Sequence, residues 1–137
     1  MNLTNHFSDI NWLSVIVATI SAFAIGSLWY SPVLFSKIWQ KEVKLSDEDM
    51  KTASMPVIFG STFVLQFIAA VVLDMYLTPY ANLAAGIKAG LFVSIAFIAT
   101  AYGTTYLFSR KSMRLFLIDA GYYVVLYVVM GGILGAW

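Results

Sequence analysis

The chain has 137 residues, 61% of them hydrophobic and 11% charged, with a formal net charge of +1. A soluble domain carries roughly 25% charged residues, so this composition argues for a membrane protein, and so small a net charge supplies no basic patch for nucleic acid. There is no cysteine, which excludes disulfides and thiolate metal sites.

Met1–Asp9 is a tail with no basic residue ahead of a full-length apolar run, which is not the pattern of a cleaved signal peptide. It holds His6, the only histidine, expected to be solvated rather than catalytic. It also holds Asn2-Leu3-Thr4, a glycosylation sequon short enough to arise by chance. Four apolar runs follow, at about 10–30, 57–77, 84–108 and 115–137. Each reaches the roughly 20 residues that a helix needs to cross a hydrocarbon core. None shows the period-2 alternation of a barrel strand. The expected fold is all-α: one membrane domain over 1–137, an integral membrane bundle of four transmembrane helices with an interfacial amphipathic helix between the first and second.

In the first span Asn11, Ser14, Ala18, Ser21 and Ala22 share a face that should meet other helices. The span ends at Trp29-Tyr30-Ser31-Pro32, because Pro32 disfavours helical geometry at Ser31. Trp12, Trp29, Tyr30, Tyr76, Tyr80 and Trp137 fall near span ends, where amphipathic rings anchor at headgroup level. The first connection predicts a helix over about 33–45. Leu34, Phe35, Ile38, Trp39, Val43 and Leu45 form one half, and Lys37, Lys41 and Lys44 lie on the other. It either rests on the inner leaflet or packs across the mouth of the bundle. Ser46 and Asp49 form a capping box, which starts the second long helix near Asp47, with Pro56 bending it.

Thr62, Gln66, Ala70 and Asp74 recur every four residues in the second span. They make a stripe that either packs on another helix or lines a polar path. The connection at 78–83 is short, so spans two and three form a hairpin that sets Asp74 and Lys88 at one depth. An ion pair is expected there, as a pin for the hairpin or as part of a permeation path. Alternatively Lys88 snorkels to the headgroups. Tyr102 and Tyr106 of the third span reach the depth of Asp119 in the fourth. A tyrosine O–H donating to the Asp119 carboxylate would lower the cost of burying it, and Arg114 is the other candidate partner.

Lys37, Lys41, Lys44 and Lys51 crowd the first connection, and Arg110, Lys111 and Arg114 the third. The positive-inside rule puts both in the cytoplasm and both termini outside. Small residues at four-residue spacing, Ala18–Ala22–Gly26, Gly86–Gly90–Ser94 and Gly131–Gly135, offer more close-packing faces than four helices need, which points to a homo-oligomer. There is no HExxH, GxSxG, Walker loop or dinucleotide fingerprint, so no catalytic residue, metal site or cofactor is assigned. The expected partners are the lipid bilayer, further copies of the chain and an unidentified small-molecule or ion substrate.

Three readings of function stand on these residues. The first is a small homo-oligomeric transporter or channel-like protein, its path drawn from Asp119, Asp74, Lys88, Gln66, Tyr102 and Tyr106. The second is a non-catalytic membrane accessory or scaffold, with those residues locking the bundle. The third is a membrane enzyme acting on lipid or a small apolar molecule.

Asn11-Trp12-Leu13, Leu28-Trp29-Tyr30-Ser31-Pro32, Leu34-Phe35, Lys37 and Trp39, together with Leu117-Ile118-Asp119-Ala120-Gly121-Tyr122 and Met130-Gly131 through Trp137, resemble one family over nearly the whole chain. It is the four-helix bacterial membrane family catalogued as domain of unknown function 1761. The resemblance implies a four-helix topology in the bacterial inner (cytoplasmic) membrane, and no activity. The family motif is Asn11, Trp12, Trp29, Tyr30, Ser31 and Pro32, and its Trp29-Tyr30-Ser31-Pro32 part is expected to have the structural task of ending the first span and turning the chain.

Overall fold

The computed structural model of the chain describes residues 7–77 and 81–137. His6, the sequon Asn2-Leu3-Thr4 and Tyr80 lie outside the described residues. In chain order the helices are α1 (Trp12–Trp29), α2 (Ser36–Glu42), α3 (Asp47–Thr52), α4 (Met55–Leu77), α5 (Leu83–Val93), α6 (Thr100–Phe108) and α7 (Met113–Ala136), with a π-helical turn at Ser94–Ala99 joining α5 to α6. Among the described residues α1, α4, the continuous Leu83–Phe108 unit and α7 are the four helices long and apolar enough to span a membrane.

Helix starts follow local chemistry. Asn11, Asn82 and Ser112 each accept a backbone N–H three residues on, from Ser14 (3.1 Å), Ala85 (2.9 Å) and Leu115 (3.1 Å). Each such cap contributes about 1 kcal/mol. Two of the helix ends are alike. Lys44 and Arg110 take φ of 60° and 56° just past α2 and α6. The next residues, Leu45 and Lys111, donate back to the Gln40 and Tyr106 carbonyls. These are Schellman closures with a cation in the left-handed position, where the helix dipole favours it.

The first connection differs from expectation in two ways. Its amphipathic helix is shorter, 36–42 rather than 33–45, because 31–35 form turns in which Phe35 donates to the Trp29 carbonyl. The second helix does not run on from Asp47. The Ser46–Asp49 capping box forms, but α3 stops at Ala53, which is extended, and α4 restarts at Met55. Pro56 supplies the reason: it has no N–H for the Thr52 carbonyl, and its ring would collide with that carbonyl in an unbroken helix. In the first turn of α4 neither defect matters.

Helix α7 is the most buried span. α5 packs against it, and α1 bridges α7 and α4. The α5–α7 contact is backbone on backbone. A Cβ on Gly86 would lie 1.9 Å from the Gly131 oxygen, and one on Gly90 2.0 Å from the Tyr127 oxygen. Ala18 and Ala22 are buried, and Gly26 faces Tyr122. The three small-residue stripes are thus used inside the chain, and none is left over for a second subunit. Val15, Ala18, Ala70, Leu126, Met130 and Leu134 fill the half of the bundle away from the basic connections. Ser14 and Thr19, fully buried there, return their hydroxyls to the Asn11 and Val15 carbonyls at 2.8 Å.

Candidate functional site

Asp119 lies in the second turn of α7 and is 7% exposed. Both carboxylate oxygens accept a tyrosine hydroxyl: Tyr30 O–H donates to Oδ1 at 2.7 Å and Tyr106 O–H to Oδ2 at 2.5 Å. That arrangement suits an anion, and each oxygen keeps a second lone pair for another donor. Tyr30 is the C-cap of α1, its N–H returned to Gly26. Beside it, the Trp29 Nε1–H donates to the Ile118 carbonyl at 3.0 Å and fastens the end of α1 to α7. Gly121 makes room for that ring, since a Cβ there would lie 3.3 Å from it.

Tyr106 therefore meets Asp119 as its depth suggests. Tyr102 does not bond to the carboxylate; its ring packs on Tyr106 (5.4 Å between centroids) and Tyr123 (5.3 Å). Arg114 is exposed. Tyr30 and Trp29, expected as headgroup anchors at a span end, instead turn inward and hold Asp119 and its neighbour. The signal for Tyr30 was available in its depth, since the ends of spans one and three lie on the same side of the bundle as Asp119. Trp12, Tyr76 and Trp137 are exposed, as anchors must be.

A cavity of about 630 Å³ opens beside Asp119. It runs from Gln66, near the middle of α4, to Asp49 and Met50 of α3, between Gly26 of α1 and Tyr122 of α7. Gln66 is 7% exposed, and its Oε1 has no hydrogen-bond partner. Beyond Gln66 the buried stripe of α4 continues through Ala70 into the filled half of the bundle. At the other end Asp49 is exposed. The Ser46 backbone N–H (2.9 Å), and then the Ser46 hydroxyl, hold its carboxyl below the usual carboxylate range.

The expected ion pair between Asp74 and Lys88 does not form. Asp74 is 3% exposed, accepts the Asn11 backbone N–H at the positive end of α1, and leaves Oδ2 unpartnered. Lys88 is exposed, in a separate cleft beside Tyr76. The reason is the pairing of helices: α4 packs mainly on α1 and α5 on α7, so the short hairpin does not turn its two charged faces together. Sequence reasoning also missed the π turn. Its extra residue rotates α6 relative to α5, so the glycines of α5 and the tyrosines of α6 both reach α7.

Asp119 is neighboured by tyrosines. No group of three or more potential metal ligands occurs among the described residues. The architecture is that of a multi-pass membrane protein with one buried carboxylate opening onto a cavity in half of its bundle. The chain belongs to the family described as protein of unknown function (DUF1761), whose model matches residues 13–135 and so takes in Tyr30, Tyr106 and Asp119. No curated protein and no solved structure matches the chain.

Proposed function

We propose that this protein carries a small solute across the membrane and binds it in the cavity at Asp119. The supporting observation is the cavity's one-sidedness. It joins the buried Asp119 carboxylate and Gln66 to the first of the basic connections, and the opposite half is packed. An open channel has a route through both halves. A binding site open to one side and sealed on the other is what an alternating-access carrier shows in one of its states.

The setting proposed is a bacterial inner membrane, with the basic connections cytoplasmic and both termini outside, following the distribution of lysine and arginine. The working unit proposed is a homo-oligomer, because four helices packed in the half away from the basic connections have little room to reopen alone. One observation favours the scaffold reading instead: both Asp119 oxygens already have donors within the chain.

Vesicle flux separates the two. Proteoliposomes loaded with a panel of aromatic amines, alcohols and carboxylates are expected to release at least one class faster than protein-free vesicles. Asp119→Asn should abolish the excess while circular dichroism shows the helices intact. Release equal to that of empty vesicles for every solute refutes the carrier and leaves the scaffold.

A further inference from the structure

The walls of the Asp119 cavity carry a chemical signature of their own. Among the described residues Asp119 and Asp49 are the charged ones that line it, and no lysine or arginine does. Its formal charge is therefore negative, with no counter-ion in the wall. Around Asp119 the aromatic rings form a continuous series. Tyr30 meets Trp39 at 5.9 Å and Tyr122 at 5.2 Å, Tyr122 meets Tyr123 at 5.1 Å, and Tyr123 meets Tyr102 at 5.3 Å. All five rings line the cavity. Aromatic faces beside a carboxylate attract a cation from two directions at once, by ring quadrupole and by charge. The first turns of α4 are different: Met55, Ile58 and Phe59 make that stretch of the wall apolar, ahead of Thr62 and Gln66.

A volume of about 630 Å³ accommodates a drug-sized molecule.

We propose that the solute is a lipophilic organic cation, its head between Asp119 and the tyrosine–tryptophan wall and its apolar body against Met55, Ile58 and Phe59 of α4. This rests on the reading of the cavity as a solute site and adds the class of solute.

The test uses the full chain in lipid nanodiscs and isothermal titration with three isosteric probes: 4-phenylbutylamine, 4-phenylbutanol and 4-phenylbutyrate. The amine should bind at least tenfold more tightly than the alcohol, and the carboxylate not measurably. Asp119→Asn should bring the amine down to the alcohol. The three-probe comparison on the unaltered chain decides the matter even if that variant does not fold. Equal affinity for amine and alcohol, or preference for the carboxylate, overturns the cation while leaving a solute cavity. Absence of binding by all three also overturns it, and the carrier is then judged by the flux panel alone. Tight amine binding without flux of any solute removes the carrier and keeps the site.

Discussion

Tyr30→Phe removes a single hydroxyl from the site and little else. The ring stays against Tyr122 and Trp39, at 5.2 and 5.9 Å, and what is lost is the 2.7 Å bond to Asp119. A hydrogen bond to a charged group is worth about 1.5–3 kcal/mol, and one between neutral groups about 0.5–1.5 kcal/mol. Asp119 faces a cavity into which water can reach and replace part of the lost donor, so the lower end applies, about 1.5 kcal/mol. In an Asp119→Asn background the same hydroxyl answers a neutral amide, and its removal should cost about 0.5 kcal/mol. The double-mutant cycle then gives a coupling near 1 kcal/mol, the size expected of groups in direct contact. Unfolding in mixed micelles of detergent and dodecyl sulfate, followed by tryptophan fluorescence, measures all four corners. Zero coupling, with Tyr30→Phe equally costly in both backgrounds, would refute an Asp119 carboxylate held by the motif at the end of α1.

The remaining predictions concern packing, charge and the first connection. Gly90→Ala puts a Cβ 2.0 Å from a backbone oxygen that needs about 3.3 Å, so α5 and α7 must part by about 1.3 Å. A loss of about 3 kcal/mol is expected in the same unfolding assay. Gly60→Ala meets nothing within 4 Å and should be neutral or stabilising by up to about 1 kcal/mol. Lys88→Gln should change stability by no more than about 0.5 kcal/mol, since its charge lies exposed in a cleft, whereas breaking a buried pair would cost about 3–5 kcal/mol. The folded Asp49 carboxyl sits below its unfolded value, so its contribution to α3 is present above the unfolded value and is lost as pH falls through the folded one. Hydrogen exchange of α3 amides, corrected for intrinsic rates, should lose protection over that acid range in the native chain. Asp49→Ala should show no such dependence, and protection persisting in acid would contradict the cap.

The spans were legible because each is apolar over the full width of a bilayer, and no packing choice alters that. The capping box was legible for a similar reason, Ser46 and Asp49 being a purely local pair. Tyr106 could be matched to Asp119 by depth along the helices. Rotation and neighbour choice could not be read from depth. Asp74 and Lys88 were matched by depth yet face different helices, because Gly86 and Gly90 fit the backbone at Gly131 and Tyr127 and draw α5 onto α7. The sequence displayed both glycine sets without saying that each was the other's partner. Tyr30 was ambiguous, since an aromatic ring at a span end can face headgroups or turn inward beside a tryptophan that pins the helix. The sequence pointed to Thr62, Gln66, Tyr102 and Asp119 of the cavity wall but not to the cavity's shape, which is the space left beside α1, α4 and α7 under a connection whose break at Ala53 follows from Pro56.

The native chain has no cysteine, so single cysteines can report where water reaches. Thr62→Cys and Ser27→Cys lie on the cavity wall, and Ala70→Cys and Leu126→Cys in the packed half. In oriented vesicles, a membrane-impermeant thiol reagent added on the side of the basic connections should label the first two and leave the second two unmodified. Silent cysteines at 27 and 62, or labelling at 70 and 126 from that side, would contradict a one-sided solute cavity reaching Asp119.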